Sequence, residues 1–217
     1  MRVSPPAEHW KALLILGPTG SGKTPLGGHL EKAGFCGRRC VHFDFGANLR
    51  EAARLQPGAG DLDECDLAVI RASLRDGTLL EDEHFPIALK ILRRFAARRR
   101  IARDDLVVLN GLPRHAGQAA GLAALVAVEM VVVLEADARV IAERIRRDAG
   151  GDRAGRPDDS EEEVRRKLEI FRTRTWPLVD IYRNAGVPVV RVPVAVATRP
   201  EDILARIEAG LEDGGRR

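Results

Sequence analysis

Short apolar runs at residues 12–16, 106–109, 130–134 and 187–192, with a weaker one at 40–43, are built from Val, Ile and Leu without polar alternation. A strand with one wet face alternates, so an unbroken apolar run predicts a strand covered on both sides, as in a parallel sheet. Between these runs, apolar positions recur at helical spacing over 24–33, 86–99, 117–127, 138–147, 161–185 and 199–211, with Arg199-Pro200 opening the last segment. Strand and helix take turns along the chain. The pattern therefore predicts an α/β fold in three α/β/α layers, a mostly parallel sheet flanked by helices.

Two stretches break this rhythm. Residues 48–82 read as a helical insert with a break at 56–60, and residues 148–160, DAGGDRAGRPDDS, are rich in glycine and charge and poor in apolar side chains. The second reads as a mobile loop. There is no internal repeat or low-complexity tract, and the tail after Leu211 is expected to fray.

A chain of 217 residues, 45% hydrophobic, suffices for one sizeable core and predicts one domain. Its expected parts are a core at 10–44, 86–147 and 161–211, an insert at about 45–85 and a loop at about 148–160. The net charge is only +3 and the arginines are dispersed, which suits a phosphate-rich small molecule better than a nucleic acid. No apolar run reaches the roughly eighteen residues needed to span a bilayer, and MRVSPPAEHW lacks the apolar centre of a secretory signal. The expectation is a cytoplasmic protein without membrane partners. Cys36, Cys40 and Cys65 cannot all pair, and no second Cys/His pair stands near Cys36 and Cys40 to complete a zinc tetrahedron.

The chemistry begins where the first apolar run ends. Gly17, Gly22, Lys23 and Thr24 satisfy G-x-x-x-x-G-K-[ST] between a predicted strand and a predicted helix, the context this motif requires. Glycines let consecutive N–H groups curl around an anion, and the helix start adds its positive dipole end. Gly17, Thr19, Gly20, Ser21, Gly22, Lys23 and Thr24 are thus candidate ligands of a nucleotide, ATP, with Lys23 on its outer phosphates and the Thr24 hydroxyl on Mg2+.

Further motifs follow in order. Phe45-Gly46-Ala47-Asn48-Leu49-Arg50 resembles T-G-D-x-L-R, and Asp76-Gly77-Thr78-Leu79-Leu80 resembles D-G-x-L-V. Asn110-Gly111-Leu112-Pro113-Arg114 with Gln118 resembles D-G-F-P-R-x-x-x-Q, and Gly155-Arg156-Pro157-Asp158-Asp159 resembles the G-R-x-D-D exit of a lid. On these segments the chain resembles the adenylate kinase family of nucleoside monophosphate kinases, from Leu13 to Leu211. The resemblance implies that Gly46, Arg50, Gly111, Arg114 and Gln118 hold an acceptor monophosphate, with AMP the default. It further implies that Arg144, Arg147, Arg153 and Arg156 close on the donor, that Lys23, Arg114, Arg156 and Lys167 serve the transfer, and that the protein is a monomer. Planar guanidinium forks that never lose charge suit such work.

Several positions depart from the family pattern. Asn110 stands where an aspartate orients the water around magnesium, Lys167 replaces an arginine, and Asp148 stands where a lid-base arginine is usual. Phe45 and Ala47 replace a small hydroxyl residue and an aspartate. Thr24 and Asn110 are left as the expected metal side. Asp44 admits two readings, acceptor of a substrate hydroxyl or helix cap. The first would make the chain a kinase of a small alcohol metabolite; a catalytically weak nucleotide-binding protein is the other alternative. His42 and His84 read as structural.

Overall fold

The computed structural model describes residues 9–58, 61–151 and 160–214. Five strands, β1 (Trp10–Leu16), β2 (Cys40–Asp44), β3 (Leu106–Asn110), β4 (Val126–Glu135) and β5 (Val189–Pro193), form an all-parallel sheet ordered β2-β3-β1-β4-β5. The helices are α1 (Lys23–Ala33), α2 (Phe45–Ala53), α3 (Glu64–Asp76), α4 (Phe85–Arg99), α5 (Ala116–Leu122), α6 (Ala138–Arg146), α7 (Glu161–Ile170), α8 (Leu178–Asn184) and α9 (Pro200–Gly214).

The apolar runs are apolar throughout because successive side chains feed two different cores. Ala12, Leu14 and Leu16 of β1, with Val107 and Leu109 of β3, enter the core beneath α4, α5 and α8. Leu13 and Ile15, with Leu106 and Val108, enter the core beneath α1 and α9. Each fully buried side chain of this kind contributes about 1.5–3 kcal/mol. Because α1 follows β1 on one face while α5 follows β3 on the other, the chain leaves two neighbouring strands in opposite directions. A crevice opens at their carboxyl ends, where doubly wound sheets bind ligands.

Two predicted boundaries are corrected. The helix expected over 117–127 stops at Leu122, and Val126 and Ala127 belong to β4, paired with Trp10 and Lys11. The segment LAALVAV satisfies either period, and pairing with β1 decides it. The single helix expected over 161–185 is interrupted at Phe171–Thr175 by a π-helical turn, closed by Trp176 N–H donating to Phe171 O at 2.8 Å, and restarts beyond Pro177. A proline inside a helix removes a donor and crowds the preceding turn. The insert separates into α2, capped by the Asp44 carboxylate, and α3, opened by a reciprocal Asp63–Asp66 capping box. Among the described residues no helix is long and apolar enough to cross a membrane.

His42 is structural, as expected. Its ring packs so closely on α1 that a Cβ added at Gly27 would lie 2.3 Å from it, and its Nε2 is buried without a partner among the described residues. Burial lowers its pKa, with Arg99 acting the same way and Asp44 and Glu31 opposing. Above the unfolded value of about 6.5 both states are neutral. Below it the unfolded chain takes up a proton that the folded ring refuses, so stability falls by up to about 1.4 kcal/mol per pH unit. Urea unfolding at pH 7.5 and 5.5 is expected to show a shallower acid loss in His42→Leu than in the unsubstituted protein, by at most about 1.4 kcal/mol. Equal losses would contradict the assignment.

Candidate active site

The loop leaving β1 can take its shape only because side chains are missing from it. Gly20 and Gly22 have φ of 76° and 102°, the left-handed region that glycine tolerates. A Cβ on Gly17 would meet Ser21 Oγ at 2.7 Å, and one on Gly22 would meet the Arg144 guanidinium at 3.1 Å. The loop delivers the chain into α1, whose first turn has no side-chain cap at Gly22. Helical N–H groups left uncapped at a positive dipole end favour an anion. The backbone thus fits a polyphosphate. Lys23 Nζ folds over the loop and donates to Gly17 O and Pro18 O, both at 2.7 Å.

Beside this cradle the ends of three strands converge. Asn110 pairs in register with Ile15 on one side and with Asp44 on the other. Thr24 Oγ1 donates to Asp44 Oδ2 at 2.8 Å, and Asn110 Nδ2 donates to Thr24 Oγ1 and to Asp44 Oδ2, both at 3.0 Å. Asp44 Oδ1 accepts from Ala47 N at 2.8 Å, so the carboxylate is also the cap of α2. The expected metal side, Thr24 and Asn110, is therefore assembled, with Asp44 added. A hydroxyl, a carboxylate and an amide are hard donors that suit Mg2+. Among the described residues there is no cluster of three His, Cys, Asp or Glu that could hold a metal ion.

The same cleft extends from the loop to the opposite wall, where α2, α3 and the segment after β3 meet. Lys23, Asp44, Gly46, Arg50, Gly111, Arg114 and Gln118 all line it. Its charged lining is Lys23, Arg50, Arg114, Arg166 and Lys167 against the carboxylates of Asp44 and Glu163. The guanidinium groups of Arg50, Arg114 and Arg166 have no partner among the described residues. Burial lowers the pKa of Arg114, yet an arginine remains charged at physiological pH. Its backbone is pinned, with N–H donating to Gln118 Oε1 at 2.8 Å and O accepting from Thr175 Oγ1 at 2.8 Å. Gln118 is buried, and its Nε2 donates to Leu80 O at 2.7 Å, so its amide, expected to hold the acceptor, ties the segment after β3 to Leu80.

Other candidates lie elsewhere. Ser21 is fully buried beneath the loop, and neither Arg144 nor Arg147 lines the cleft. Arg144 is buried, with Nε donating to Gly20 O and Nη1 to Ala195 O, Val196 O and Thr198 O. Arg147 pairs with Glu143, whose carboxyl Arg146 and Arg147 together pull down to about 2. Arg153 and Arg156 fall outside the described residues. Arg166 was not among the expected site residues. Glu163, Arg166, Lys167 and Ile170 all line the cleft from α7, at helical spacing i, i+3, i+4 and i+7. That periodicity was the available signal.

Residues 16–165 match the family described as AAA domain. The chain is 30% identical over 205 residues to an adenylate kinase of Synechococcus sp. (strain WH7803), covering 92% of this chain and 97% of that protein. It is 31% identical over 207 residues to an adenylate kinase of Thermus thermophilus, covering 93% and 97%. The chain belongs to the adenylate kinase family. In this adenylate kinase relative the P-loop and the two arginines expected from the motifs, Arg50 and Arg114, line one cleft. Asn110 ends β3 and Lys167 stands on α7, the two positions where the family pattern led us to expect an acid and an arginine. Arg166, one residue earlier, returns a fork to the same cleft.

Proposed function

We propose that the protein transfers the γ-phosphoryl group of ATP, with Mg2+, to a nucleoside monophosphate, AMP being the default acceptor. The bond from the γ-phosphorus to the β,γ-bridging oxygen breaks as one forms to an acceptor phosphate oxygen, giving ADP and a nucleoside diphosphate. The observation that supports this reading is that Arg50, Arg114 and Arg166, whose guanidinium groups have no partner among the described residues, line the same cleft as Lys23. A single polyanion on the P-loop would leave the far wall's charges without a purpose. Two polyanions meeting end to end need cations on both sides of the transferred group.

In this reading the P-loop amides and Lys23 hold the donor, and Arg50 and Arg114 hold the acceptor phosphate. Arg166 and Lys167, which line the same cleft, are assigned to the junction of the two, and Arg156 to closure over the donor. Magnesium, when bound, would supply neutralisation of the charge on the donor phosphates. Thr24 and Asn110 stand where it would be held. Phe45 and Leu49 of α2 and Leu74 of α3 give the acceptor end an apolar wall suited to a base. The alternative of a small-alcohol kinase rests on Asp44 offering a carboxylate to a hydroxyl, and both of its oxygens are already engaged by protein donors.

The test is incubation with ATP, Mg2+ and each common monophosphate in turn. Diphosphate formation with AMP is expected, and none with any acceptor would remove the reading. Arg114→Ala is expected to raise the acceptor KM by about 10- to 100-fold, the equivalent of a charge-assisted hydrogen bond worth about 1.5–3 kcal/mol. Steady-state kinetics at saturating ATP measures it. A change confined to the ATP KM would place Arg114 on the donor side instead.

A further inference from the structure

We propose that Asp44 is the carboxylate of the divalent-cation site beside the P-loop, supplying from the end of β2 the negative charge that relatives carry at the end of β3. The inference rests on the reading that the chain binds ATP with a divalent cation. In the family pattern the position of Asn110 is an aspartate. Taken alone, that change removes the only acid expected beside Thr24.

The fold returns it from the neighbouring strand. Asp44 and Asn110 are register partners across β2 and β3, about 4.8 Å apart in the hydrogen-bonding direction of any sheet. Both side chains nonetheless converge on one atom, Thr24 Oγ1, at 2.8 and 3.0 Å. A charge moved one strand sideways thus acts at the same place. The arrangement also accounts for the amide. With Asp44 present, an aspartate at 110 would set two carboxylates about where Nδ2 and Oδ2 now stand 3.0 Å apart, whereas asparagine donates a hydrogen bond to its neighbour. Like charges that close repel strongly unless a cation lies between them. Asp44 Oδ1 remains tied to Ala47 N, which fixes the side chain and leaves Oδ2 to face the hydroxyl.

The experiment uses Mn2+ as the probe. Electron paramagnetic resonance of free Mn2+ gives its affinity for the full-length protein saturated with β,γ-methylene ATP, so that no turnover enters the measurement. Asp44→Asn is expected to weaken Mn2+ binding by about tenfold, whereas the metal-free analogue, a polyanion relieved of a neighbouring negative charge, is expected to bind no more weakly than to the unsubstituted protein. The cap survives, because asparagine caps a helix as well as aspartate does. Combining Asp44→Asn with Asn110→Asp is expected to restore Mn2+ affinity to within about threefold, since the charge returns to the family position. Asn110→Asp alone, with Asp44 intact, is expected to lower the metal-free melting temperature and to recover it on adding Mn2+ with the analogue.

Unchanged Mn2+ affinity in Asp44→Asn, or a double variant no better than that single one, would overturn the assignment. So would an Asn110→Asp protein as stable without metal as the unsubstituted one. An unsubstituted protein that binds no analogue would remove the proposed function as well. Binding of analogue and Mn2+ that ignores Asp44 would remove this inference alone.

Discussion

Replacing Lys23 with alanine is expected to lower the transfer rate by about 10²–10³-fold or more, the cost of deleting one preorganised donor at developing transition-state charge. Its ammonium lies 2.7 Å from Gly17 O and Pro18 O, within the loop that fits the donor phosphates. A flexible stem carrying a point charge can leave those carbonyls for phosphate oxygens, a move open to no neighbouring group of the loop. Loss of the two carbonyl contacts also loosens the loop slightly. The expected signature is therefore a fall in kcat much larger than the rise in ATP KM, with a melting temperature lowered by only a few degrees. Steady-state kinetics with a diphosphate readout, paired with thermal unfolding, separates these terms. A loss of activity below tenfold would mean that the arginines across the cleft stabilise the transferred group without the P-loop cation.

How far the sequence announced this site depends on how local each signal is. The P-loop is contiguous, and its glycines, lysine and threonine carry their geometry in their spacing. The central strands were legible because burial on both faces leaves unbroken apolar runs. Arg50 and Arg114 were found through ordered motifs, and both line the same cleft as Lys23.

The rest failed for definite reasons. Val126 was assigned to a helix because LAALVAV fits both periods, and only its partner Trp10, more than a hundred residues earlier, decides. Arg166 was passed over for Lys167 because a motif fixes attention on one position, whereas a helix presents a whole stripe. The Asp44 alternatives could not be separated from sequence because the deciding atoms belong to Thr24 and Asn110, 20 and 66 positions away. In the structure the cap reading of Asp44 is the one realised. One oxygen caps α2 and the other faces the P-loop threonine.

Arg144 gives the second large prediction, because the structure gives it a different task from the donor contact that motif order implied. Only 4% exposed, it donates to Gly20 O at 3.0 Å and to Ala195 O, Val196 O and Thr198 O at 2.8, 3.0 and 3.1 Å. It thereby ties the P-loop to the loop between β5 and α9. No sequence motif encodes this, since the acceptors are main-chain carbonyls up to 124 positions away. Removing the guanidinium leaves these carbonyls short of a donor at a buried site. The three bonds from one nitrogen share its protons, so roughly two effective charge-assisted bonds are lost, and Arg144→Ala is expected to destabilise the fold by about 3 kcal/mol. For a chain of this length that lowers the melting temperature by about 6–12 °C. Arg144→Lys keeps the charge without the fork and is expected to recover less than half of the loss. Differential scanning calorimetry together with the KM for ATP distinguishes the two roles. A brace lowers stability first and weakens ATP binding through a loosened Gly20, whereas a direct donor contact would raise the KM and leave the melting temperature where it was.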